Sequence, residues 1–160
     1  MAAAPLSVQE SRLVPVPTDQ AYQGALTAPL DQLFRRRHLA LPPIKEVRDQ
    51  HGTWGSGGLG QTRTIVTADR GTLREELTVL EPGERFGYTL TRITGPMKPL
   101  VAYVEGMWTV APAESGAVVT WAWTIHPRSA LTAPVVGLVG RMWHGYAAKG
   151  LAELESYLLH

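Results

Sequence analysis

From Gln61 to His126 the chain repeats one pattern: a run in which apolar and polar residues alternate, a short turn, then another such run. Asp69-Arg70-Gly71, Glu81-Pro82-Gly83-Glu84, Gly95-Pro96 and the residues from Pro112 to Gly116 supply the turns. They delimit predicted strands over 61–68, 72–80, 85–94, 100–110 and 117–125, with His126-Pro127 ending the last. At Ser129 the period changes. Leu131, Val135, Leu138, Met142, Tyr146, Leu154 and Leu158 recur near helical spacing, which predicts a long amphipathic helix to Leu159.

The segment before the meander is shorter and more broken. Residues 7–17 alternate loosely and contain Pro15 and Pro17, as suits a first strand on a sheet edge. Thr18, ahead of Asp19, is the expected N-cap of a short helix carrying Tyr22, Leu26, Leu30 and Phe34, which Pro29 should kink or split. After Pro42-Pro43, residues 44–50 can form a further strand. Strands bounded by helices give an α+β fold with an antiparallel sheet.

The length of 160 residues suits one domain over 1–160 with a core that needs no covalent staples. Absence of cysteine excludes disulfides, thiolate metal sites and thiol catalysis. A net charge of +1 argues against nucleic acid as a partner. No basic segment precedes a long apolar run at the start, and the most apolar stretch is interrupted by Pro134, Gly137, Gly140 and Arg141. The expectation is therefore a cytoplasmic monomer or homodimer without stable membrane insertion. The sequence has no asparagine and far more arginine than lysine, a composition that fits a GC-rich bacterial genome and says nothing of function.

An antiparallel sheet usually buries one face. Along the last strand Val119, Trp121, Trp123 and Ile125 share the face expected inside. A hairpin around 112–116 sets Trp108 opposite Trp121, which turns Val104, Gly106 and Val110 inward as well. Phe86, Tyr88 and Leu90, then Leu73, Glu75, Leu77 and Val79, complete the inner face. Two readings of this set stand side by side: a packed core, or the wall of a cavity. Packed core is the first expectation for any one residue of the set, but indoles, phenols and a carboxylate suit a dry core only where their polar atoms find partners, which adds weight to the cavity.

Several segments in order carry a resemblance. They are Val14-Pro15-Val16-Pro17-Thr18-Asp19-Gln20-Ala21-Tyr22, Gly58-Leu59-Gly60-Gln61-Thr62-Arg63, Leu73-Arg74-Glu75-Glu76-Leu77, and Pro82-Gly83-Glu84-Arg85-Phe86-Gly87-Tyr88. Gly106-Met107-Trp108-Thr109-Val110-Ala111-Pro112, Gly116-Ala117-Val118-Val119-Thr120-Trp121 and the stretch 151–158 follow. Nearly the whole chain thus resembles the polyketide cyclase/dehydrase and lipid-transport family, within the START-like or Bet v 1-like (SRPBCC) superfamily. The resemblance implies a helix-grip fold: a curved antiparallel sheet of about six or seven strands wrapped around the C-terminal helix, with a pocket between them. It also implies a small hydrophobic ligand, a lipid, a polyketide or a similar metabolite, and in some members cyclase or aromatase chemistry. Two departures stand out. The acidic, tryptophan-containing segment usual after the first helix is replaced by Arg35-Arg36-Arg37-His38 and Pro42-Pro43, and the usual Gly-Thr before the last strand is Gly116-Ala117.

The remaining motifs are weaker. Gly55-Ser56-Gly57-Gly58-Leu59-Gly60 matches G-x-G-x-x-G, but a strand pattern follows it where a dinucleotide site needs a helix, so a flexible connection, able to act as a lid, is expected. The arginine run reads as a solvated helix end. His38, His51, His126, His144 and His160 show no ligand spacing, so neither a metal nor a cofactor is expected. His144 lies off the apolar stripe and should be at the surface.

The candidate ligand-binding residues are Leu77, Phe86, Tyr88, Trp108, Trp121, Trp123, Val135, Leu138, Met142 and Tyr146. Glu75 and Tyr88 are the candidates for acid-base work. An inward Glu75 must either pair, with Arg63 as the expected partner, or be held protonated by burial. Three functions follow: a carrier of a hydrophobic molecule, a cyclase- or dehydratase-type enzyme, and an interaction protein with a filled interior.

Overall fold

The computed structural model describes residues 3–160. Its elements in chain order are β1 (Leu6–Val14), α1 (Thr18–Thr27), α2 (Leu30–Leu33), β2 (Ile44–Arg48), β3 (Thr62–Thr67), β4 (Thr72–Glu81), β5 (Arg85–Thr91), β6 (Val101–Ala113), β7 (Gly116–Pro127) and α3 (Ala133–Leu159). The seven strands form one antiparallel sheet in the order β1-β7-β6-β5-β4-β3-β2. The sheet curves around α3, which makes the molecule an α+β helix-grip fold. No helix among the described residues is long and apolar enough to cross a membrane.

The meander follows from its turns. Asp69 accepts the Gly71 N–H at 3.0 Å and also bonds the Thr67 hydroxyl, an aspartate-led turn that reverses the chain between β3 and β4. The first strand is different: it crosses the molecule to pair with the last. Thr18 is the first helical residue rather than the cap. Pro17 holds the N-cap position with no side-chain hydrogen bond, its fixed φ of −61° already suited to the helix entry. Pro29 splits the helical segment, and α1 ends before it while α2 begins after it. The arginine run leaves α2 and ties back to α3, with Arg35 and Arg36 both on Glu153 at 3.1 and 3.0 Å.

Alternation orients β5, β7 and, from Val104 onward, β6; before that a register shift between Val101 and Tyr103 leaves Val101 and Val104 both buried. Trp108 stands opposite Trp121 and Tyr88 opposite Gly106 in the ladders. In β4 the expectation holds through Leu77 and then fails: a bulge between Leu77 and Val79 shifts the register, so Leu80 and not Val79 packs on the core. The helix α3 differs more. Its buried face is Val136, Val139, Gly140, Trp143, Ala147, Gly150, Leu151 and Leu154, with Tyr146 alongside. Leu131 precedes the helix and is 91% exposed, while Val135 and Leu138 lie on its outer side at 42% and 56%. The small residues are what allow this rotation, because they let α3 approach its neighbours closely. At Gly150 a Cβ would collide with the ring of Phe34. Trp143, Leu151 and Leu154 are then fully enclosed, each worth about 1.5–3 kcal/mol of transfer free energy.

Candidate functional site

Between the concave face of the sheet, α3 and the α2–β2 connection lies a cavity of about 130 Å³. Its walls are mostly aromatic. Phe86 and Trp108 stack at 6.1 Å between ring centroids, Trp108 and Trp121 at 5.2 Å, and Phe34 and Tyr146 at 5.4 Å. Trp121 leans on Trp143 at 4.9 Å and meets Trp123 edge-on at 5.6 Å. These rings fix one another, so the wall is rigid before any ligand arrives.

Of the sequence candidates, the structure places Phe86, Tyr88, Trp108, Trp121, Trp123, Tyr146 and Glu75 on the cavity. Leu77 is fully buried but packs into the core beside it. Met142 is partly buried against the core and does not border the cavity, and Val135 and Leu138 point away from it, as the rotation of α3 requires. Trp143 and Phe34 border the cavity without having been singled out from the sequence. Trp143 lies one position past Met142, on the face that its glycines mark better than its large apolar residues. His144 is on the surface, bonded to Glu10 at 2.7 Å.

One end of the cavity is polar. Arg63 on β3 and Glu75 on β4 are register partners, and Arg63 Nε donates to Glu75 Oε1 at 2.9 Å. Both are buried, at 6% and 3% exposure. Arg63 Nη1 also donates to the Gln50 side chain at 3.2 Å, and the guanidinium lies 3.9 Å over the Trp54 ring. Trp54 belongs to the connection that carries the glycine-rich segment. The Gln61 amide holds that connection by accepting from Gly55 and Gly57 N–H and donating to the carbonyls of His51 and Thr53. Burial pushes the Glu75 carboxyl above its ordinary range, and Arg63 pulls it back only in part.

Tyr88 crosses from β5 over β6. It can do so because Gly106 lies beneath it, where a Cβ would collide with its ring. Its hydroxyl oxygen thereby reaches β7 and accepts both the Trp121 and the Trp123 indole N–H, each at 2.9 Å. Burial and then the Glu75 charge raise the Tyr88 phenol far above its ordinary value, so it remains protonated. The other phenol on the cavity, Tyr146, spends its proton on the Pro42 carbonyl at 3.1 Å.

The sequence profile of the polyketide cyclase / dehydrase and lipid transport family matches residues 5–159. The chain belongs to that family. No curated protein sequence matches it. Solved structures of similar fold include the ginseng major latex-like protein 151 from Panax ginseng, at 10% identity and TM-score 0.71 over 99% of this chain and 100% of that one. Norcoclaurine synthase from Thalictrum flavum, in complex with dopamine and hydroxybenzaldehyde, shares 13% identity at TM-score 0.68 over 99% and 88%. A Bacillus thuringiensis protein shares 22% at TM-score 0.63 over 97% and 100%. Such identities establish the helix-grip fold of Bet v 1-like proteins and no more. In the segment after the first helices Pro42 anchors Tyr146, and Arg35 and Arg36 anchor Glu153.

Proposed function

We propose that the protein binds one small hydrophobic molecule, without transforming it, in the cavity between the sheet and α3. The observation that carries this reading is an unfilled cavity with rigid aromatic walls, in which Arg63 and Glu75 neutralise each other and Asp69 is held by the Thr67 hydroxyl and the Gly71 N–H. A carrier needs affinity from apolar walls and orientation from a few polar groups. A filled interior, as an interaction protein would have, does not fit that cavity. The complex of norcoclaurine synthase with dopamine and hydroxybenzaldehyde supports the binding of a small aromatic by this fold, and says nothing for or against a reaction here. In this reading the protein works in the cytoplasm, with no cofactor and no nucleic acid.

The test is native mass spectrometry of the purified protein for a co-purified small molecule. It is joined to a titration with apolar probes graded from a single ring to an acyl chain. Saturable one-to-one binding with a change in tryptophan fluorescence is expected; failure of every probe would sink the reading. Acid-base chemistry is the second reading, supported by the burial-raised Glu75 on the same face as Tyr88. A Glu75 carboxyl still half protonated at neutral pH by NMR, together with turnover of a bound probe, would favour it.

A further inference from the structure

We infer that the cavity's ligand is a neutral single-ring aromatic whose oxygen, carbonyl-like, accepts the hydrogen of Tyr88. This rests on the carrier reading and adds size, charge and polarity to it. Size comes from the cavity: at about 130 Å³ it is close to the roughly 150 Å³ apolar cavity that admits benzene. A fused polyketide or an acyl chain would have to extend out through its mouth.

Polarity comes from counting hydrogen bonds at Tyr88. A phenol oxygen accepts two and donates one. Both accepting positions are filled, by Trp121 and Trp123. Among the described residues no protein acceptor takes its hydrogen. Two N–H donors on one oxygen polarise the O–H and strengthen what it donates. The arrangement therefore offers a ligand a donor and no acceptor. Trp143, whose ring borders the cavity, carries a buried indole nitrogen with no partner among the described residues. A buried donor left unmatched is unfavourable, and an acceptor on the ligand relieves it at Tyr88. Charge follows from Glu75 and Arg63. A ligand carboxylate would meet Glu75 and Asp69, and an ammonium would compete with Arg63 for the first and with the Gly71 N–H and Thr67 hydroxyl for the second, so neutrality is selected.

Acetophenone and α-methylstyrene have the same shape and differ in carbonyl against methylene. Calorimetric titration should show acetophenone binding the wild-type protein about tenfold more tightly, the worth of one buried hydrogen bond. The infrared carbonyl stretch of bound acetophenone should fall below its value in an alkane. Tyr88→Phe should move the carbonyl stretch away from its wild-type position, because the phenol donor is lost and the Trp121 and Trp123 N–H are freed in its place. Benzoate should not bind. Equal affinities in the wild type, an unshifted stretch, or benzoate binding as well as acetophenone would each overturn the inference. These wild-type measurements decide the matter even if Tyr88→Phe does not fold. Binding of long apolar probes but of neither single-ring compound would overturn it while leaving the carrier standing. Failure of all probes would remove the carrier reading itself.

Discussion

Arg63 and Glu75 show how a buried pair can be legible in sequence while its energetics are not. Alternation puts Glu75 among leucines and places an arginine on the strand before it, so pairing is the natural expectation, and the two are bonded. What the sequence does not carry is the balance of burial against pairing, which depends on how completely Trp54 and the cavity walls exclude water. Burial wins, and the Glu75 carboxyl is raised. The native state then holds that proton more tightly than the unfolded chain. Its contribution is present in acid and lost as pH rises through the raised value. Relative to Glu75→Gln, the wild-type protein should lose stability as pH rises from the ordinary carboxyl range; denaturant melts across pH read this, and the opposite slope would show that Arg63 dominates. Arg63→Met, which strands the carboxylate, should cost about 3–5 kcal/mol at neutral pH and less in acid. At the wall, Trp121→Ala should cost about 3–5 kcal/mol and weaken probe binding. A stability change without a binding change would place Trp121 in the core alone.

Elements differ in how well periodicity reads them. β5, β7 and β6 beyond its irregular start at Val101 alternate cleanly, and their inward faces follow directly from the sequence. β4 does not, because a bulge leaves no mark in the hydrophobic pattern until the residues beyond it are seen on the wrong side. α3 deceives for another reason. Selecting large apolar residues chooses Leu131, Val135 and Leu138, whereas the buried face is built around Gly140, Ala147 and Gly150, where small size is what the packing needs. The prediction at this scale separates the two faces: Leu138→Ala should change stability by less than about 0.5 kcal/mol, while Leu154→Ala should cost about 2–5 kcal/mol. Equal losses in thermal or denaturant melts would put the helix in a different rotation. Gly106 belongs here too. Gly106→Ala should lift Tyr88 off β6 and cost about 1–3 kcal/mol, visible as altered tryptophan fluorescence when both indole hydrogen bonds break.

For the molecule as a whole, residues 1–160 are proposed to fold as one cooperative unit, so calorimetric and van't Hoff enthalpies should agree. A ligand at a hundred times its dissociation constant should add about 2.7 kcal/mol and raise Tm; two separate transitions would divide the chain. The pairing of first strand with last has a consequence in time. The ladders from β2 to β7 join neighbours along the chain, but the Ser11 hydroxyl meets Thr120 from 109 positions away. Closing a loop of that span is entropically slow, so β1 should dock after the meander has formed. Truncations at Val8 and Val14 should accordingly speed unfolding and barely slow folding, giving φ-values near zero, where substitutions at the β6–β7 hairpin give high ones. The strand that completes the sheet is then its most recent arrival in every folding event, and the amides of β1 should be the first of the sheet to exchange with solvent.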